Sequence, residues 1–370
     1  MSANYKKLGD YITQRREKNT AINLPICGVC REGLIPPKQQ DADISLYNVF
    51  YKNDFIFNPA RMELNSITLN TEYDKAICSS LYEIFYINDT SKLLPEFLFV
   101  QLKTDNFVRF CEFQGQGSVR EYCRFANISE YPVIVPDLKE QEKIVNTYNA
   151  ITKRIQLKQK INENLEKTAQ CLFDELNINK KSFEEKTIAE ISNSVICGKT
   201  PSTAVKEYWG SDIPFITIPD MHGKNFISQT ERYLSLKGKS SQENQTLPPK
   251  SICVSCIATV GLVSMTTTTS QTNQQINSIV CKEGISPFYV FLTLKGMDEE
   301  LKKLGAGGST TLNISKSLFA SIKLKIPTKK EMCDFDKNVS TIFDSILCNE
   351  KEIINLQELK QLLVSRISSI

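Results

Sequence analysis

The sequence predicts a mixed α/β protein: two α+β globular bodies separated by two long helices that form an antiparallel coiled coil, arranged as a pseudo-twofold internal repeat. Three observations predict it. Gly117-Ser118 precedes Pro136 by 19 residues and Gly308-Ser309 precedes Pro327 by the same 19, so one offset of 191 superimposes both landmarks. A long helical pattern follows each proline. In the first copy apolar residues fall at Ile144, Tyr148, Ile151, Ile155, Leu165, Ala169, Leu172 and Leu176. The same offset lands on Phe335, Val339, Ile342, Ile346, Leu356, Lys360, Leu363 and Ile367, and seven of the eight stay apolar. Duplication of this kind decides an architecture before any residue-level reading does.

The first body, residues 1–136, opens on Leu8-Gly9-Asp10-Tyr11-Ile12, which corresponds to Ile188-Ala189-Glu190-Ile191-Ser192 at an offset of 180. The second body is therefore 11 residues longer. Asp54-Phe55-Ile56-Phe57-Asn58 before Pro59 reads as a strand, and Pro95 to Leu102 as a short helix entered through proline. The first helical spacer, 137–180, starts at Pro136-Asp137-Leu138-Lys139-Glu140, a proline, an N-cap residue and a glutamate placed for a capping box. Its helix is expected from about Leu138 to about Leu176, roughly 60 Å at 1.5 Å per residue. Ile144, Tyr148, Ile151 and Ile155, and again Leu165, Ala169, Leu172 and Leu176, recur at the three-and-four spacing of a coiled-coil seam, and Ile144, Ile151, Ile155, Leu165 and Leu172 are assigned to helix pairing. Lys153, Arg154, Lys158, Lys160, Glu163, Glu166 and Lys167 are assigned to its polar exterior.

The second body, 181–327, carries strand patterns at Ile213-Pro214-Phe215-Ile216-Thr217 and from Ser251 to Ala258 before Gly261, then a short helix from Pro287 to Leu294. The second spacer, 328–370, repeats the start signal as Pro327-Thr328-Lys329-Lys330-Glu331. Phe335, Ile342, Ile346, Leu356 and Leu363 form its matching seam. A globular surface rarely matches so long a stripe, which favours pairing of the two helices over packing of each on its own body.

Composition narrows the function. A chain of 370 residues with 41% apolar and 24% charged residues suits two soluble bodies plus connecting structure. The net charge of +3 argues neither for nor against a nucleic-acid partner, because clustering of cations decides that. Met1 to Lys7 holds no signal-peptide core, and no stretch approaches the roughly 18 apolar residues of a membrane span. The expectation is a cytoplasmic protein with no membrane partner, its 12 cysteines reduced, mostly buried and not paired in disulfides.

No catalytic constellation, cofactor motif or metal site emerges. With a single histidine, His222, a histidine-based triad or multi-histidine site is nearly excluded. Gly198-Lys199-Thr200 mimics the end of a phosphate-binding loop, but the glycine that motif needs five residues earlier is Asn193. Two Cys-x-x-Cys pairs, Cys27 with Cys30 and Cys253 with Cys256, invite a zinc reading. In a strand an odd separation of three puts the second pair on opposite faces, so buried thiols are expected instead. Pro248-Pro249 is followed by Lys250 and reads as a turn, and Pro136-Asp137 with Glu140 is explained by helix capping.

Several stretches, in this order and with the repeat, resemble the specificity subunit of type I restriction-modification systems over essentially the whole chain. Gly28-Val29-Cys30-Arg31-Glu32-Gly33-Leu34-Ile35-Pro36 and Asp54 to Arg61 are similar to one type of its target-recognition domain. Gly198-Lys199-Thr200-Pro201-Ser202, Tyr208-Trp209-Gly210, Ile213 to Thr217 and Asp220 are similar to another. Pro136-Asp137-Leu138-Lys139-Glu140-Gln141-Glu142-Lys143-Ile144 resembles the family's entry into its first spacer helix, and Lys330-Glu331-Met332-Cys333 departs from it.

The resemblance implies a non-catalytic reader of double-stranded DNA. Each target-recognition domain would read one half-site, and the spacers would fix the gap and dock methyltransferase (modification) subunits, with restriction subunits joining through them. Cationic and amide side chains beside strand ends and glycine turns are the candidates for phosphates and purine edges. In the first body these are Arg31, Lys38, Asn58, Arg61, Arg120 and Arg124; in the second, Lys199, Thr200, Lys224, Ser255, Asn273, Gln274 and Thr311. Two alternatives stand beside this reading. One is a DNA-modifying enzyme, a nuclease or methyltransferase with an unrecognised site; the other is a coiled-coil scaffold without DNA contact.

Overall fold

The computed structural model describes residues 5–21, 23–31, 33–37, 43–115, 122–178, 183–306 and 312–367. The chain divides into two compact units, one of residues 1–157 with 353–370 and the other of residues 158–352. Each is a mixed α/β body that includes part of both long helices, Leu138–Ile178 and Lys329–Ile367.

In the first unit, Ile12–Arg15, Glu83–Ile87, Phe55–Phe57 and Ile67–Leu69 form an antiparallel sheet in that spatial order. Strand alternation divides the burial: Phe55 and Phe57 enter a core closed by the helices Pro95–Leu102 and Asp105–Gly115, while Ile56 enters a second core. A mixed sheet of Gly33–Ile35, Ile26–Cys30, Lys75–Cys78 and Asn48–Tyr51 closes that second core. The expected strand and the Pro95–Leu102 helix are therefore present where the turn and proline signals put them.

In the second unit, Ser192–Cys197, Ile276–Cys281, Ile252–Ser255, Val263–Thr266 and Phe226–Ile227 form one sheet, and Arg232–Leu234, Trp209–Ile216 and Gln271–Thr272 form another. Ile252 and Val254 face the core under the helix Pro287–Lys295, and Cys253 faces the other core. Cys256 returns to the first of these, so the two thiols stand in different cores. Burial pushes Cys253 up to about 12 and Cys256 up to about 11, which leaves both protonated and inert. All 12 cysteines are free, but only half are buried: Cys171, Cys333 and Cys348 lie exposed on the long helices, where the expectation of burial fails.

The two bodies meet their chain ends in the same register. Lys7 pairs with Pro132 in one, and Thr187 with Lys323 in the other. The Leu8 N–H donates to the Tyr131 carbonyl at 2.9 Å, as the Ile188 N–H does to that of Ile322. The Tyr11 carbonyl accepts from Asn88 and the Ile191 carbonyl from Lys282, each at 2.9 Å.

The long helices begin where their caps predict. At the second, Thr328 Oγ1 accepts from the Glu331 N–H at 3.4 Å and the Glu331 carboxylate accepts from the Thr328 N–H at 3.0 Å. At the first only half of the box forms: Asp137 accepts from the Glu140 N–H at 2.9 Å, and the Glu140 carboxylate turns to Lys143 at 3.6 Å. Two carboxylates one turn apart repel, whereas a threonine hydroxyl welcomes the glutamate.

The seam residues are shared between helix and body. Ile144 enters the core of the first unit and Leu363 packs against it; Phe335 and Ile346 enter that of the second, with Leu165, Leu172 and Ile342 packed against it. Ile151 and Ile155 are buried and Leu356 is half-buried. Lys158 corrects its assignment to the exterior. Its ammonium donates to Asn349 Oδ1 at 2.8 Å and pairs with Glu352 at 2.8 Å, and Asn349 in turn donates to Asn162 Oδ1 at 2.8 Å. With both asparagines buried, this is a polar layer in the gap between Ile155 and Leu165.

Candidate nucleic-acid interface

In the first unit the fold brings Asn58, Arg61 and Arg124 together. The Pro59 carbonyl accepts from the Cys123 N–H at 3.0 Å, which fastens the segment after Phe57 to the one before the helix Phe125–Ser129. Asn58 caps the turn by accepting from Ala60 at 3.1 Å, leaving Arg61 exposed beyond it. Glu83 organises the neighbourhood. Its carboxylate accepts from the Phe125 N–H at 2.7 Å, from Arg124 Nη1 at 3.3 Å and from Gln14 Nε2 at 3.3 Å. Gln14 Oε1 accepts from Arg16 Nε at 2.8 Å, so exposed arginines stand at both ends of one hydrogen-bonded chain. Gln14 and Arg16 escaped the sequence reading, because Thr13 to Arg16 is an unbroken polar run with no alternation to single them out.

Arg31 does not join them. Burial first, and then the Arg31 guanidinium, hold the Lys360 ammonium below its ordinary value, so Arg31 lies toward the long helices. Lys38 and Arg120 fall outside the described residues.

In the second unit Lys199, Thr200, Asn273 and Gln274 converge. Gly198 lies so close to Thr272 and Asn273 that any Cβ would collide with their backbone, which makes glycine the residue this approach requires. The Lys199 N–H donates to the Thr272 carbonyl at 3.0 Å and Thr200 Oγ1 to Gln274 Oε1 at 2.8 Å. Beneath them Gln242 Nε2 donates both to the Lys199 carbonyl, at 2.9 Å, and to Gln271 Oε1, at 2.7 Å.

Two candidates here are corrected. Ser255 is fully buried and its hydroxyl accepts from the Leu262 N–H at 2.9 Å; a side chain spent inside the sheet does not reach a duplex. Asn273 is buried too, bonded to Gln275 through both ends of its amide, so it shapes the turn that presents Gln274. Lys224 lies apart, its charge acting on Glu350 of the second long helix, and Thr311 is outside the described residues. His222 is exposed. Among the described residues no group of three or more His, Cys, Asp or Glu is placed to hold a metal ion, and no helix is long and apolar enough to cross a membrane.

Residues 35–167 and 180–363 match the type I restriction modification DNA specificity domain, so that domain occurs twice and takes in most of the chain. The chain belongs to the type I restriction-modification DNA specificity family. As a specificity subunit it recognises DNA and has no catalytic activity of its own. It is similar to the HindI specificity subunit of Haemophilus influenzae, 31% identical over 81% of this chain and 82% of that one. It is also similar to the MjaIX specificity subunit of Methanocaldococcus jannaschii, 33% identical over 49% of this chain and 42% of that one. The crystal structure of a type I restriction-modification S subunit from M. genitalium covers 99% of this chain and 96% of its own with a TM-score of 0.64 at 13% identity, a likeness of fold.

Proposed function

We propose that this specificity subunit reads a bipartite DNA site, one half with each globular body, and directs methylation and restriction by partner subunits. The observation that carries the reading is the frame built twice in one register around unlike clusters: Lys7 with Pro132 around Asn58, Arg61, Arg124 and Arg16, and Thr187 with Lys323 around Lys199, Thr200 and Gln274. Unlike clusters on like frames suit unlike half-sites. In this reading residues 1–136 and 181–327 are the target-recognition domains, and 137–180 and 328–370 the spacers, in a pseudo-twofold repeat.

The spacers are read as an antiparallel coiled coil. In the first unit Tyr148 meets Lys360, and in the second Lys158 meets Asn349, so partner numbers fall along one helix as they rise along the other. The Lys158–Asn349 pair supports the repeat as well: the two are separated by 191, the offset of the duplication. In a twofold pair a residue meets its own counterpart only at the axis. The partners proposed are methyltransferase subunits, with restriction subunits joining through them in the cytoplasm; in support, the relatives are named as specificity subunits of type I restriction enzymes.

Mapping modified bases across the host genome tests this. Deleting the gene should erase modification at one motif made of two read segments and an unread gap. An unbroken motif, or modification that survives the deletion, would overturn the proposal. Binding by the purified chain should weaken steeply with salt, since neutralised phosphates release counterions.

A further inference from the structure

We propose that Arg232 is a specificity-determining residue of the second unit, reading the acceptor edge of a guanine in the half-site that Lys199, Thr200 and Gln274 serve. The inference rests on the DNA-reading function above. Its guanidinium lies 3.6 Å from the centroid of the Trp209 ring and is exposed. Trp209 is itself braced edge-on against the buried Phe215 at 5.3 Å, so the platform under the cation is rigid. Stacking on an aromatic face orients a guanidinium and leaves its in-plane donors available.

The first unit shows what a stacked arginine looks like when its work is structural. Arg15 sits 4.8 Å from the Tyr51 ring and 4.7 Å from the Tyr86 ring, and its fork is closed by the buried Asp54 at 2.6 and 3.0 Å. Arg232 has the stack without the carboxylate: among the described residues its side chain makes no hydrogen bond or ion pair. A planar fork held in place and left unpaired matches the O6 and N7 acceptors of guanine.

Sheet register puts it beside the other candidates. Arg232 and Gln271 are both paired with Phe215, on opposite sides of the central strand, so the three form one cross-strand row on one sheet face. Gln271 accepts from Gln242, which holds the Lys199 carbonyl. Two strand spacings put Arg232 roughly 10 Å from Gln271, about three base steps along a duplex, which keeps it within the same half-site but on another base pair.

The test is selection of a randomised duplex pool by the full-length chain and by Arg232→Lys and Arg232→Ala. Both variants should relax one G·C position of one half-site, with discrimination there falling roughly 10-fold or more, while the other half-site and the thermal midpoint stay as in the parent. Trp209→Leu should blur the same position, because it removes the platform and leaves the fork. Affinity that falls alike for all sequences, with a shallower salt dependence, would make Arg232 a phosphate contact and overturn the assignment, as would an unchanged profile. If the parent chain itself selects no bipartite site, the failure lies with the DNA-reading proposal, and the Arg232 inference falls with it.

Discussion

Gln141 and Met332 occupy the same position in the two long helices, 191 residues apart, and join helix to body by opposite means. Gln141 is wholly buried. It accepts from the Leu94 N–H at 2.8 Å and donates to the carbonyls of Lys92 and Pro136, each at 2.8 Å. Met332 is equally buried but joins an apolar core that includes Tyr289 and Phe335. The neighbouring short helices explain the choice. Pro95–Leu102 is preceded by Leu94, which brings no capping oxygen, and Gln141 instead holds the backbone on the approach to that helix, at the Leu94 N–H and the Lys92 carbonyl. Pro287–Lys295 is capped by Ser286, whose hydroxyl also bonds Asp336 at 2.5 Å. Each unit thus ties the entry of its short helix to a long one, through Gln141 in the first and through Ser286 and Asp336 in the second.

Exchanging these two residues should do the molecule the most damage. Gln141→Met strands a buried N–H and two carbonyls and should destabilise the first unit by about 3 kcal/mol. Met332→Gln buries an amide among apolar neighbours and should cost the second unit about 2 kcal/mol, against under about 1 for Met332→Leu. Hydrogen exchange, which reports each unit separately, is the measurement; equal protection in parent and Gln141→Met would refute the argument.

The next effect is one of pH and belongs to the second long helix alone. Burial first, and then the neighbouring Glu166 carboxylate, push the Glu350 carboxyl up to about 7, with Lys224 opposing. The position matching it in the first helix is the exposed Gln159. A carboxyl raised above its unfolded value binds its proton more tightly in the folded state. Its contribution is present below the ordinary glutamate range and is lost as pH rises through about 7. After allowance for partial solvent access the loss is on the order of 2 kcal/mol. Protection of the second unit should fall between about pH 5 and pH 8, and Glu350→Gln should flatten that slope.

These contrasts also mark what the sequence discloses. Long periodic helices with proline and cap signals are local statements, so the starts at Leu138 and Lys329 and the helix Pro95–Leu102 are legible from residues alone. That Lys199, Thr200 and Gln274 lie close together is legible because glycine marks where backbone must come close. Ser255 is not, since alternation assigns a strand residue to a face and cannot tell that another layer covers it. Arg31 and Lys224 turn toward the long helices because loops choose their direction through distant contacts. Arg232 depends on a cross-strand row among three segments, and the polar layer at Lys158 and Asn349 on a register between residues 191 apart.

The smallest test concerns the caps, where a motif that reads alike twice is built differently. Thr328→Ala removes the acceptor for the Glu331 N–H and should cost about 1 kcal/mol, and Asp137→Ala should cost about as much at the first helix. The glutamates should differ. Glu331 bonds back to the Thr328 N–H and hydroxyl, at 3.0 and 2.8 Å, so Glu331→Ala should lose roughly another 0.5 kcal/mol. Glu140 faces Lys143 in a solvent-exposed pair, so Glu140→Ala should change stability by only a few tenths of a kcal/mol. Asp137→Thr then becomes the sharper experiment: with the like charge gone, Glu140 is free to swing back and close the box, and Glu140→Ala made in that background should cost more than in the parent. Additive effects of the two substitutions would show that carboxylate repulsion is not what keeps the first box open.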